Sequence, residues 1–192
     1  MNISSKASFR QLLLEKRRTI SALERQKAAE SAAELLVETD FFRQSQHIAC
    51  YYPTDDEFDC LPIIQKIWQA KKKCYLPSLT SQKILNFIPY QPNDALQLNR
   101  YRILEPVEGE PISLDKLDIV LVPLVGFDLR GHRLGMGAGY YDRTFHFLRG
   151  RVAGKCYFLG LAFLSQGVSI LPEDAWDVSL QGVLTEKKII YF

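Results

Sequence analysis

The sequence lacks several features that would point to a particular class of protein at once. Its 24 lysines and arginines nearly balance its 22 aspartates and glutamates, so the formal net charge is only +2. Non-specific nucleic-acid binding depends on an excess of positive charge, which this chain does not have. No apolar run approaches the ~20 residues of a membrane-spanning helix, and the first residues lack the apolar core of a signal peptide. We therefore expect a cytoplasmic protein that binds neither nucleic acid nor membranes.

The cysteines are few and far apart. The chain contains neither a Cys-x-x-Cys pair nor a histidine at zinc-ligand spacing, and its four cysteines are Cys50, Cys60, Cys74 and Cys156. Cys50 and Cys74 lie inside apolar runs, which predicts buried free thiols, and we interpret Cys156 in the same way. Free thiols are typical of a reducing compartment.

The standard catalytic motifs are also missing. The chain has no P-loop, no Gly-x-Gly-x-x-Gly after a first strand and no Gly-x-Ser-x-Gly nucleophile elbow. Its three histidines (His47, His132 and His146) form no recognisable triad or ligand set. We interpret them as structural or surface residues.

Apolar strands alternate with amphipathic helices along the chain. The predicted helices run from a cap at Ser4 or Ser5 to about Arg18, from a capping box at Ser21–Glu24 to Thr39–Asp40, from Cys60 to Ala70, and onward from about Tyr140. The predicted strands span residues 47–52, 73–77, 84–90, 119–124, 154–163, 182–186 and 188–191. We predict a long loop over 91–117, at a ligand site or an edge, and an irregular segment over 164–172. The pattern favours an α/β fold, a single three-layer αβα domain over residues 1–192 with a central, largely parallel (mixed) sheet.

The most informative stretch runs from Asp118 to Arg149. A buried strand leads to a tight polar turn, and a Gly-x-Gly-x-Gly loop then opens a helix. Glycines let the backbone adopt positive φ and bring N–H groups close to an anion, and a helix start adds unpaired donors. Nearby arginines and Asp142, a possible metal ligand, make this a candidate nucleotide or phosphate site. Glycine spacing alone is weak evidence, because a crowded strand–helix turn also uses glycine.

Two other charged segments have open interpretations. Lys6 and Arg10 are four residues apart and project from the same side of the first helix, and their residue types alone favour a solvated basic face. The acidic run 54–57 follows the first strand, where α/β proteins place ligands, but it could equally be a solvated loop with an N-cap at Asp59.

The string from Gly126 to Asp142 reads Gly-Phe-Asp-x-x-Gly-x-Arg-Leu-Gly-x-Gly-x-Gly-Tyr-Tyr-Asp. It closely resembles the signature of the 5-formyltetrahydrofolate cyclo-ligases, also called 5,10-methenyltetrahydrofolate synthetases. The resemblance extends over nearly the full chain through Lys6-x-x-x-Arg10, Glu57, Ile103–Pro106, Leu161–Gln166, Asp177 and Thr185–Glu186.

This resemblance implies ATP- and Mg²⁺-dependent conversion of 5-formyltetrahydrofolate to 5,10-methenyltetrahydrofolate, with release of ADP and phosphate. The implied route is phosphorylation of the formyl oxygen followed by attack of N10. The implied partners are the folate and ATP, bound by a monomer. Four positions depart from the family pattern, namely Arg102, Ala138, Trp176 and Gln181. Two of them, Ala138 and Gln181, motivate the alternative of a catalytically impaired folate- or nucleotide-binding regulator with the same fold.

The resemblance also implies roles for individual residues. Arg133 is the implied catalytic residue, as a partner for developing negative charge. The implied ATP-binding residues are Lys6, Arg10, Arg133, Leu134, Gly135, Met136, Gly137, Ala138, Gly139, Tyr140 and Tyr141. The implied folate-binding residues are Tyr52, Glu57, Met136, Gly137, Ala138, Gly139 and Tyr140. The implied Mg²⁺ ligands are Asp142 and Asp177.

Overall fold

The computed structural model describes residues 5–54, 56–149 and 156–192. The helices are α1 (Lys6–Arg18), α2 (Ala22–Val37), α3 (Asp40–Gln44), α4 (Leu61–Gln69) and α5 (Tyr140–Thr144). The strands are β1 (His47–Ala49), β2 (Lys73–Leu79), β3 (Leu85–Pro89), β4 (Leu96–Leu98), β5 (Leu104–Pro106), β6 (Ile119–Pro123), β7 (Gly126–Asp128), β8 (Arg133–Leu134), β9 (Tyr157–Leu161), β10 (Gly167–Val168), β11 (Gly182–Leu184) and β12 (Ile189–Tyr191).

A seven-stranded sheet forms the centre of the fold, in the order β12-β11-β9-β6-β1-β2-β3. The five inner strands are mutually parallel, and the edge strands β3 and β12 are antiparallel to their neighbours. The central strand β6 is an unbroken apolar run because both of its faces are covered. The predicted α/β fold with a largely parallel mixed sheet is confirmed.

Apolar side chains of successive strand residues enter two different cores, one on each face of the sheet. Ile48 packs into the core that α2 and α4 cover, whereas the next residue, Ala49, belongs to the opposite core together with Phe145. Alternation along a strand therefore produces the predicted three layers. Helix α1 lies apart from both, and its Leu13 packs with residues in and beside a small sheet in the order β10-β7-β8.

Local capping chemistry sets the helix starts largely as predicted. The Ser5 side chain accepts a hydrogen bond at the start of α1, and Ser21 with Glu24 forms the predicted capping box of α2. Helix α4 differs, because its N-cap is Cys60 and not Asp59. The Asp59 carboxylate instead accepts from the backbone of Leu61.

Three predicted boundaries are wrong. The segment 91–117 is not one long loop, because β4 and β5 pair as a hairpin and a 3₁₀ turn follows at Leu114–Lys116. The segment predicted as irregular after residue 163 contains a 3₁₀ turn at Leu164–Gln166 and the short strand β10. Helix α3 begins where the second predicted helix was expected to end. Each element is only two to five residues long, too short for a periodic pattern to develop.

Some predictions fall on residues outside the described ranges, namely the alternative cap at Ser4 and the start of the predicted strand at Gly154. All four cysteines are buried and free, which confirms the prediction for Cys50, Cys74 and Cys156; no such prediction was made for Cys60. Burial raises the pKa of the Cys50 thiol well above its usual value and that of Cys156 to about 12, so these thiols are unreactive at neutral pH.

Across the described ranges, no helix is both long and apolar enough to cross a membrane.

Candidate functional site

The glycine loop has the geometry that its sequence predicts. It follows the β7–β8 hairpin and leads directly into α5. Gly137 and Gly139 have φ angles of +99° and +70°, in the left-handed region that disfavours residues with a side chain. Because α5 has only five residues, its dipole contributes less to anion binding than the sequence suggested. The open backbone of the loop is therefore the main feature that suits an anion.

A cavity of about 1230 Å³ opens beside this loop. All residues that the resemblance implied for ATP, folate or metal line it, namely Lys6, Arg10, Tyr52, Glu57, Arg133, Leu134, Gly135, Met136, Gly137, Ala138, Gly139, Tyr140, Tyr141, Asp142 and Asp177. Single small-molecule sites usually measure roughly 300–1,000 Å³. The cavity is therefore large enough for two substrates side by side.

The charged face of α1 is part of the wall of this cavity. Lys6 Nζ donates to Asp174 Oδ2 at 2.7 Å and to Asp177 Oδ2 at 2.5 Å, and Arg10 Nε donates to the carbonyl of Gly135 at 2.8 Å. Burial by itself lowers the pKa of Lys6, but the two aspartates outweigh it and raise the pKa above its ordinary value. The interpretation from residue types alone, a solvated basic face, is wrong.

Arg133 is held in a buried position. Its side chain is only 5% exposed, and one terminal nitrogen donates to Asp142 Oδ1 at 2.5 Å while the other donates to the carbonyl of Val178. The guanidinium also lies 5.2 Å from the ring centre of Phe158. Burial lowers the pKa of Arg133, and Asp142 counteracts this effect. Since both terminal nitrogens are already engaged, this geometry suits a residue that positions Asp142 better than one that contacts substrate directly.

The two candidate Mg²⁺ ligands are paired with cations. Both hydrogen bonds that Asp142 accepts, from Arg133 and from the backbone of Val178, go to Oδ1. Asp177 Oδ2 accepts from Lys6 and from the backbone of Asp174. The described ranges contain no group of three or more histidine, cysteine, aspartate or glutamate residues that could hold a metal ion. Mg²⁺ commonly uses one or two carboxylates together with water and substrate phosphates, so the donors fit an ion that enters with a nucleotide.

Other residues that line the cavity are aromatic or acidic. Glu57 Oε2 accepts from the backbone of Thr54 at 3.0 Å, which fixes the carboxylate, and Tyr52 also lines the cavity. The hydroxyl of Tyr141 is buried and has no hydrogen-bond partner among the described residues. Burial raises the pKa of Tyr141, with the nearby charge of Glu57 adding to the effect. A buried polar group without a partner is unusual, and this hydroxyl has almost no surface that a ligand in the cavity could reach.

Sequence reasoning missed several residues that line the cavity. The β4–β5 hairpin contributes Asn99, Tyr101 and Ile103, and Arg17 of α1 lies buried in the wall. Asp174, a partner of Lys6, belongs to an acidic patch that is visible in the sequence, but its contact joins residues 168 positions apart. Spacing within a short segment cannot reveal such a contact.

Two departures from the family pattern have structural explanations. The carbonyl of Ala138 accepts from an Arg143 terminal nitrogen, so a guanidinium stands beside the loop at this position. Gln181 Oε1 accepts from the backbone of Phe158 at 2.7 Å, and Gln181 does not line the cavity. Gln181 therefore supports the sheet.

Comparison with known proteins gives consistent matches. Residues 2–186 match the model of the 5-formyltetrahydrofolate cyclo-ligase family. The chain is 34% identical over 189 residues to a 5-formyltetrahydrofolate cyclo-ligase of Haemophilus influenzae, covering 96% of this chain and 99% of the relative. An Escherichia coli protein of the same name is also 34% identical, over 182 residues, covering 93% and 98%. The NMR structure of 5,10-methenyltetrahydrofolate synthetase from Aquifex aeolicus has 33% identity and a TM-score of 0.82, covering 97% and 92% of the two chains.

Proposed function

Since the chain belongs to the 5-formyltetrahydrofolate cyclo-ligase family, we propose that it converts 5-formyltetrahydrofolate to 5,10-methenyltetrahydrofolate with ATP and Mg²⁺. The formyl oxygen attacks the γ-phosphorus of ATP, and ADP leaves. The N10 amine then attacks the activated formyl carbon and loses its proton, and the carbon–oxygen bond breaks to release phosphate. Phosphorylation is needed because an amide-like oxygen is otherwise a poor leaving group.

The observation that supports this reaction best is the single cavity that contains every implied site residue. Phosphoryl transfer asks the protein mainly to position two substrates and to stabilise charge. The cavity offers a cationic wall with a glycine loop in one part and an aromatic, acidic wall in another. Two chemically different walls in one space match a reaction between an anionic nucleotide and a folate.

We assign the phosphates of ATP to the wall formed by α1 and the glycine loop. Arg10 uses only Nε for its contact with Gly135, and its terminal nitrogens lie close to Gly137, where an added Cβ would be 3.5 Å from one of them. These nitrogens and the backbone of the loop face the same space. Lys6 adds a second cation one helical turn away.

We assign the pterin of the folate to Tyr52 and Glu57. The Glu57 carboxylate accepts hydrogen bonds from the pterin N–H groups, and Tyr52 packs on the ring. Residues 136–140 of the loop then lie between the two substrates, where the formyl oxygen meets the γ-phosphate.

Asp142 and Asp177 would hold the Mg²⁺ that accompanies ATP. When bound, Mg²⁺ screens the negative charge of the phosphates during transfer. Arg133 fixes Asp142 through its buried ion pair, and Lys6 fixes Asp177. The two cations thereby orient the carboxylates before a substrate arrives.

The test is to incubate the purified protein with 5-formyltetrahydrofolate and MgATP and to follow the absorbance of the methenyl product and the release of ADP. Reactions without ATP, or with a chelator, are the controls. Absence of product with ligands that bind would refute the proposal and favour the regulator. We also propose that the protein works as a monomer in the cytoplasm, which size-exclusion chromatography and cell fractionation test.

A further inference from the structure

Two large apolar side chains on the wall of the cavity face solvent. Trp176 is 61% exposed and Met136 is 63% exposed, and both line the cavity. Neither residue takes part in the hydrogen bonds that hold the site together. Exposed apolar surface at the rim of a ligand cavity commonly marks a place where a ligand is bound.

The exposure of Trp176 is imposed by a well-anchored turn. The backbone N–H of Asp177 donates to the carbonyl of Asp174 at 3.0 Å, and the N–H of Asp174 donates to Asp177 Oδ2 at 2.9 Å. Lys6 binds both carboxylates, and Val178 is held through Asp142. The indole is therefore presented on a rigid support that does not let it turn into the core.

The contacts of α1 place the turn that carries Trp176 next to its cationic face. Lys6 binds the turn that carries Trp176, whereas Arg10 binds Gly135, the residue before Met136. The two cations lie one helical turn apart. A ligand that joins a flat apolar ring to a chain of phosphates matches this arrangement of apolar and cationic groups.

We propose that Trp176 binds the purine base of ATP. The indole stacks on the base, whereas Met136 belongs to the loop between the two substrates. This inference rests on the proposed function, because it names the groups that recognise the nucleotide. The pterin is the competing aromatic ring, but Tyr52 and Glu57 offer it an aromatic face and a carboxylate, whereas Lys6 already binds both carboxylates of the turn at Trp176.

Tryptophan fluorescence tests the proposal directly, because the chain has only two tryptophans. Trp68 lies outside the cavity, where its Nε1 donates to the carbonyl of Tyr90. In the variant Trp68→Phe, fluorescence comes from Trp176 alone. We expect ADP to change this signal and inorganic triphosphate to leave it unchanged. A change with 5-formyltetrahydrofolate alone, and none with ADP, would overturn the proposal.

Binding measurements by calorimetry give a second readout. Stacking of a base on an aromatic side chain contributes enough that Trp176→Ala should raise the Kd for ADP roughly tenfold, whereas Trp176→Phe should keep most of the affinity. Leu23→Ala is the matched control, because Leu23 is 60% exposed on α2 and lies outside the cavity. An unchanged Kd in Trp176→Ala would contradict the inference.

The outcomes separate this inference from the proposed function. If the unmodified protein forms methenyl product from ATP while Trp176→Ala binds ADP normally, the reaction stands and the assignment of the base is wrong. If the unmodified protein forms no product but ADP affinity depends on Trp176, the base site stands and the reaction is wrong.

Discussion

The substitution Asp142→Asn tests the buried ion pair at the centre of the site. It removes the charge that compensates Arg133 but keeps the shape and one acceptor for the backbone of Val178. Breaking a buried pair by removing one partner costs about 3–5 kcal/mol. Because the side chain of Asp142 is partly exposed, we expect the lower end of this range, about 3 kcal/mol.

The expected loss is measurable by thermal unfolding. In a chain of this size, 1 kcal/mol shifts the Tm by roughly 2–4 °C, so Asp142→Asn should lower it by roughly 6–12 °C. Circular dichroism at several heating rates gives the Tm and shows whether unfolding is reversible. Turnover measured well below the Tm, as a function of Mg²⁺ concentration, then reports the second role of the residue. We expect a higher Mg²⁺ requirement in the variant.

Two further variants make the result interpretable. Asp174→Asn removes a more exposed carboxylate that pairs with Lys6, and it should cost less than about 1 kcal/mol. The double variant Arg133→Met with Asp142→Asn removes both charges, and it should recover part of the stability lost by Asp142→Asn alone. A Tm of Asp142→Asn equal to that of the unmodified protein would refute the reasoning about the pair.

Three other predictions concern the two substrates and pH. Arg10→Ala should raise the KM for ATP at least several-fold without changing the KM for folate, and steady-state kinetics would show an unchanged KM for ATP if Arg10 binds only the loop. Glu57→Gln should instead raise the KM for folate, and a selective effect on ATP would reverse our assignment of the two walls. Folding raises the pKa of Lys6. Its ion pairs therefore stabilise the fold fully below the pKa of Lys6 in the unfolded chain, near 10.4, and this stabilisation is lost as pH rises through the folded pKa. The Tm difference between the unmodified protein and Lys6→Met should therefore be constant near neutral pH and vanish at strongly alkaline pH.

Long elements were predictable because their patterns are strong. The inner strands, the helices α1, α2 and α4 and the capping box of α2 follow from apolar periodicity and cap residues. The β4–β5 hairpin was not predictable in the same way. Its three-residue strands carry almost no periodic signal, and their pairing depends on contacts between them.

In the candidate site, too, local sequence features were predictable and long-range contacts were not. The loop from Arg133 to Asp142 was recognisable as a whole, because a run of glycines with flanking charged and aromatic residues is specific. The role of Arg133 was less accessible. A sequence shows that an arginine is present, but not that Asp142 and Val178 engage its two terminal nitrogens. The contact with Val178 joins residues 45 positions apart.

The sequence by itself determined the alternation of strands and helices, the left-handed glycine loop and the family resemblance, because each depends on residues close together in the chain. Tertiary structure alone decided that α1, the acidic run near Glu57, the glycine loop and the turn at Trp176 surround one cavity. It also decided that Lys6 meets Asp177 across 171 positions. Such contacts depend on how the sheet and the helices pack, and packing depends on the whole chain.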